Sequence, residues 1–111
     1  MSTLIGKQGR RFRDLVINRR AVSASTTALN TDYMIAVTDT TAARTVSLPA
    51  VATIPSGKSF VIKDESGAAG TNAITIDPSG SETIHGAATA LVNTNWGSMT
   101  LVSNGTSWLI I

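Results

Sequence analysis

The stretch Gly57-Lys58-Ser59-Phe60-Val61-Ile62-Lys63-Asp64-Glu65-Ser66-Gly67 decides the fold class. It reads as a strand of about six residues that runs into a tight turn. Phe60, Val61 and Ile62 favour extended backbone, and Gly57 and Gly67 bracket them with turn chemistry. Phe60 and Ile62 point to one face, Val61 and Lys63 to the other. Downstream, the chain repeats this alternation of short strand and polar turn. Upstream of about Ala21 it does not. The contrast predicts a globular β head that carries a basic arm.

Tyr33–Thr38 and Arg44–Leu48 read as strands before this stretch, separated by the turn Asp39–Ala43. Pro49 and Pro55 punctuate the loop that follows them. After the turn Asp64–Asn72, Ala73-Ile74-Thr75-Ile76 alternates and Asp77-Pro78-Ser79-Gly80 stops it. Glu82-Thr83-Ile84 and Thr89-Ala90-Leu91-Val92 are weaker candidates. Ser98–Val102 and Ser107–Ile111 flank Ser103-Asn104-Gly105-Thr106, and an Asn-Gly pair between apolar runs is a strong hairpin signal. About eight short strands at this spacing predict an all-β head, a sandwich or a barrel rather than an α/β fold. The expected domain organisation is a basic attachment arm over 1–22, a Ser/Thr/Ala linker over 23–31 and the β head over 32–111.

The 111 residues suffice for one domain. A head of roughly 80–90 residues buries a modest core, and oligomerisation is one remedy. There is no cysteine, so disulfides and thiolate metal sites are excluded. No apolar run approaches the roughly 20 residues that span a bilayer, and the N-terminus lacks the long apolar core of a secretory signal. A soluble protein that works without a membrane or export is expected.

The net charge of +2 hides an asymmetry. Within residues 1–20, Lys7, Arg10, Arg11, Arg13, Arg19 and Arg20 face Asp14 alone. Beyond them, Arg44, Lys58 and Lys63 face Asp32, Asp39, Asp64, Glu65, Asp77 and Glu82. A basic arm on a mildly acidic head points to an acidic partner for the arm. Phe12, Leu15, Val16 and Ile17 add apolar anchors. Phe12, Leu15 and Val16 have helical spacing, whereas Leu15-Val16-Ile17 also suits a short strand. An extended arm that orders on binding is the favoured reading. The attachment residues expected are Lys7, Arg10, Arg11, Phe12, Arg13, Leu15, Val16, Ile17, Arg19 and Arg20.

Catalytic motifs are thin. Ala52–Ser59 loosely matches a P-loop, with Lys58 and Ser59 in the phosphate and Mg²⁺ positions. A strand follows it where a P-loop needs a helix, and Pro55 removes an amide. His85 is the only histidine. Asp77 and Glu82 are near it in sequence, but a zinc site needs more ligands and no nucleophile–base–orienter set is present. No enzyme, cofactor or metal is expected. Asn104-Gly105-Thr106 fits a glycosylation acceptor, but the hairpin accounts for it. Trp96 and Trp108 suit either stacking on a sugar or burial.

Taken together, Tyr33–Pro49, Gly57-Lys58, Lys63–Gly67, Ile74–Pro78, Ile84-His85-Gly86 and Ser103–Trp108 resemble the small trimeric β-domains of tailed-phage fibre and head-decoration proteins. The resemblance covers about Asn30 to Ile111. It implies a sandwich or jelly-roll-like head, a homotrimer and a structural role in the virion, and it implies no catalytic residues. The arm lies outside it. Fibres usually have a shaft, and this sequence contains no heptads and no internal repeat. The favoured expectation is therefore a capsid cement or decoration protein. It would bind the major capsid protein as a homotrimer through the arm, on the virion surface, after assembly in the host cytoplasm. The alternative is a receptor-binding tip of a tail or head fibre, with the loops around Trp96 and Asp64–Asn72 touching a host surface glycan. A DNA-binding role for the arm is a third reading. The acidic head and the lack of a nucleic-acid fold weigh against it.

Overall fold

The computed structural model describes residues 16–111. The fold is β-rich, with nine strands and one short 3-10 turn among these residues. The strands are β1 (Arg19–Val22), β2 (Thr26–Thr27), β3 (Met34–Val37), β4 (Arg44–Ser47), β5 (Ser59–Asp64), β6 (Ile74–Asp77), β7 (Ala90–Val92), β8 (Ser98–Ser103) and β9 (Trp108–Ile110). The 3-10 turn is Val51–Thr53.

Two mixed sheets form, one in the order β1-β3-β5-β8-β9 and the other β2-β4-β6-β7. The first six strands therefore alternate between the sheets. Their neighbours run parallel: β1 beside β3, β3 beside β5, β2 beside β4 and β4 beside β6. The chain is wound around one core in successive turns. It then reverses, since β7, β8 and β9 add antiparallel to β6, β5 and β8. This pairing differs from the jelly-roll-like expectation, because jelly rolls are built from antiparallel Greek keys. The parallel partners lie far apart in sequence and at uneven spacing (Arg19 to Met34, Met34 to Val61), so no repeat betrays them.

The stretch Gly57–Gly67 contains β5, at the middle of the five-stranded sheet. Its burial alternates strictly, with Phe60, Ile62 and Asp64 inward. Phe60 and Ile62 join Ile35, Val37, Leu101 and Trp108 from the same sheet and Val46, Ile74 and Ile76 from the other in one core. Phe60 and Trp108 pack ring to ring, with centroids 5.7 Å apart at a tilt of 44°. Such a pair contributes about 0.5–1.5 kcal/mol beyond its area. The buried Trp108 Nε1–H has no partner among the described residues, which costs about 1–3 kcal/mol and offsets that gain.

Three local expectations differ from the structure. Glu82–Ile84 forms no strand. Ile84 alone is buried and bridges Ala87 and Trp108, because His85 and Gly86 turn the chain at positive φ (50° and 81°). The stretch read as linker contains β2, and the stretch read as the end of the arm contains β1. Both are edge strands of few residues, and their local pattern is too short to signal a strand.

Candidate functional site

The attachment residues expected from the sequence lie in the arm. Lys7, Arg10, Arg11, Phe12, Arg13 and Leu15 lie outside the described residues. Val16 and Ile17 are exposed, at 87% and 47%. Arg19 and Arg20 belong to β1 and meet acidic groups of the head itself. Arg19 Nε donates to Glu65 Oε2 at 2.9 Å, and its Nη2 donates to Glu65 Oε1. This pair reaches across β3, where Ala36 on the outward face is fully buried. Arg20 grips Asp32 in a fork, through Nε at 3.0 Å and Nη2 at 2.9 Å. Asp32 also accepts the Leu29 N–H at 2.9 Å. Burial pushes the Asp32 carboxyl up, but the Arg20 hydrogen bonds, the Leu29 amide and the nearby positive charges outweigh it and hold it below the ordinary carboxylate value. The hydrogen bonds from Arg19 likewise lower Glu65.

A second constellation is centred on Asp64, the last residue of β5. Strand alternation carries it inward after Phe60 and Ile62, so a carboxylate stands at a core-facing position with no exposure. Oδ1 accepts the N–H groups of Ser66 and Gly67, both at 2.9 Å. Oδ2 accepts those of Ala69 and Trp96, both at 3.0 Å. The Thr40 hydroxyl donates to Oδ1 at 3.4 Å and accepts the Ala68 N–H at 3.1 Å. One buried charge thus ties together the loops β3–β4, β5–β6 and β7–β8. Burial pushes the Asp64 carboxyl up, and the four backbone N–H donors pull it down further, so it lies below its ordinary value.

Above this hub sits Trp96. It is 59% exposed and holds φ at +63°, a left-handed conformation rare for a bulky residue. Two bonds impose it: the Asp64 carboxylate takes the Trp96 N–H, and the Lys63 ammonium donates to the Trp96 carbonyl. The indole lies against Gly67, which is at φ +87°. A Cβ on Gly67 would stand 2.9 Å from Trp96 Nε1 and closer still to Cε2 and Cζ2. The neighbouring Asn95 Oδ1 accepts the Gly70 N–H at 2.9 Å and fastens the two loops a second time. The result is an indole seated on a glycine shelf and open to solvent. Trp108, the other stacking candidate, is wholly buried in the core.

The remaining motif residues are engaged in structural contacts. Lys58 donates to the Asp32 carbonyl and lies 4.9 Å from the Phe60 ring centroid. Gly57 and Lys58 amides bond to the Ser103 and Pro55 carbonyls. Glu82 accepts the Val51 N–H, and His85 Nδ1 accepts that of Ile110 at 3.3 Å. Asn104 Oδ1 accepts the N–H groups of Thr106 and Ser107 and caps the β8–β9 hairpin. Among the described residues no group of three or more His, Cys, Asp or Glu is placed to hold a metal ion.

The two candidate regions lie at opposite ends of the parallel strands. Val16–Asn18 lead into the start of β1, on the side where β3 and β5 begin. The Trp96 shelf lies where β5 ends and β8 begins. No protein-family model matches the chain, and no curated protein matches it significantly.

Proposed function

We propose that this chain is a structural protein of a tailed-phage particle: a capsid cement or decoration protein that binds the major capsid protein as a homotrimer through its basic N-terminal arm. In this reading the two sheets stack as a sandwich. The observation that supports it is the anchoring of β1. An arm that holds a particle must transmit force to its head, and β1 is paired along its length to β3 and pinned by Arg19–Glu65 and Arg20–Asp32. Arg19 and Arg20 then act as the anchor, leaving Lys7, Arg10, Arg11 and Arg13 as the charges that meet the capsid. Val16 and Ile17 supply exposed apolar contact beside them. Three arms raise the strength of a weak contact through effective concentration.

The test is charge reversal of Arg10, Arg11 and Arg13 to Glu in the full chain. The protein should remain trimeric by light scattering and lose the shell in a capsid co-sedimentation assay. Undiminished capsid binding overturns the mechanism, and a stable monomer at micromolar concentration overturns the trimer. A receptor-binding tip is the second reading. It is favoured by the exposed Trp96 shelf at the end of the strands away from the arm.

A further inference from the structure

We infer that the open face of Trp96 is the floor of a binding subsite for a neutral hexopyranose, with Gly67 and Asp64 as its positioning residues. This rests on the receptor-binding reading, not on the role of the arm. Three observations carry it.

The first is preorganisation. An exposed tryptophan at positive φ is costly, and such backbone strain persists only where the surroundings over-determine it. Here Asp64 and Lys63 hold the Trp96 backbone by its N–H and its carbonyl, and Gly67 leaves room for the ring. Nothing in the core needs that ring, because it is more than half exposed. A rigid indole with one free face suits the flat C–H face of a pyranose, whose binding is then spared the cost of ordering the site.

The second is charge. The charged groups of these loops already have partners. Asp64 is buried under four N–H donors, Glu65 is paired with Arg19, and Lys63 is bonded to the Trp96 carbonyl. The other polar side chains of the two loops are neutral hydrogen-bonders, among them Ser66, Thr71, Thr94 and Asn95. Asn95 is exposed, and its amide nitrogen has no acceptor among the described residues. These groups match hydroxyls, and the charges of Asp64 and Lys63, both bonded to the Trp96 backbone, are of opposite sign, so the shelf presents no net charge to an ionic ligand.

The third concerns a protein partner. Tryptophan anchors in protein interfaces sit amid other apolar groups that exclude water. None of the other exposed large apolar side chains belongs to either loop of the shelf.

The experiment uses the full chain and the methyl glycosides of glucose, galactose, mannose and N-acetylglucosamine at millimolar concentration. Because Trp108 is fully buried, acrylamide quenching of tryptophan fluorescence reads Trp96. At least one glycoside should protect the fluorescence and show saturation transfer from the protein. Trp96→Ala should lower its affinity about tenfold or more, Trp96→Tyr should restore part of it, and both should keep the parent melting temperature within a few degrees. Absence of protection by all four sugars overturns the inference. So does binding of sialic acid alone, or a change of oligomeric state in Trp96→Ala, which makes the ring a protein contact. Glycoside binding by the parent, with particles adsorbing to host cells equally well in Trp96→Ala, upholds the subsite and overturns the receptor-tip reading.

Discussion

The carboxylate of Asp64 accepts the backbone N–H of Trp96 at 3.0 Å, across 32 residues of sequence. This bond joins the end of β5 to the loop before β8. Together with the bonds to Ser66, Gly67 and Ala69 it makes Asp64 the node of the loop end.

Asp64→Asn tests that node. The amide keeps the shape but presents an NH₂ to backbone donors, so two of the four N–H groups lose their acceptor whichever way it points. The loss of charge-assisted bonds should cost about 2–4 kcal/mol. Urea unfolding should show the fall in midpoint, and Trp96 should become more open to acrylamide before global unfolding. A change within experimental error contradicts the role given to Asp64.

Acid should weaken the fold. Asp64, Asp32, Asp39 and Glu65 all lie below their ordinary values in the folded protein. The unfolded chain therefore binds protons first as pH falls. The stability these groups contribute is fully present above the unfolded carboxylate range, about pH 4–4.5, and is lost as pH drops through the folded values. Melting temperature should be level above about pH 5 and fall below pH 4. The slope should be shallower in Asp64→Asn, and an equal slope would show that Asp64 does not contribute.

Two glycines separate strain from space. Gly57 and Gly67 have similar positive φ, +93° and +87°, but a Cβ meets nothing within 4 Å at Gly57 and strikes the indole at Gly67. Gly57→Ala should cost about 1–2 kcal/mol from backbone conformation alone. Gly67→Ala should cost more and displace Trp96, seen as a changed emission maximum. Equal costs would mean that the indole yields freely.

The two anchoring arginines should differ. Arg20→Ala leaves the Asp32 carboxylate, 3% exposed, without its main partner and should cost about 2–3 kcal/mol. Arg19 and Glu65 form a surface pair, so Arg19→Ala should shift the unfolding midpoint little. A larger effect of Arg19 would show that the pair spanning β3 contributes more than a surface ion pair does.

The strands were legible because alternation is a local signal. Phe60 and Ile62 on one side of β5, Ile74 and Ile76 in β6 and the Asn104-Gly105 hairpin could be read from neighbours two to four residues away. Carrying the β5 alternation two residues further, to Asp64, would have placed a carboxylate in the core, but Asp-Glu-Ser-Gly also reads as a plain turn. The arm's charge was equally legible, yet Arg19 and Arg20 gave no sign that Glu65 and Asp32 await them, 46 and 12 residues on.

Sequence by itself determined a β-rich head, the two-faced alternation of its strands and the separation of a basic segment from an acidic one, since these follow from periodicity and composition. Tertiary structure alone decided the parallel winding, the anchoring of β1, the burial of Asp64 and which tryptophan faces solvent. Each of these depends on a partner distant in the chain. A strand's pattern shows that one face is buried, but not which strand lies beside it, and Trp96 and Trp108 differ only in what folds over them.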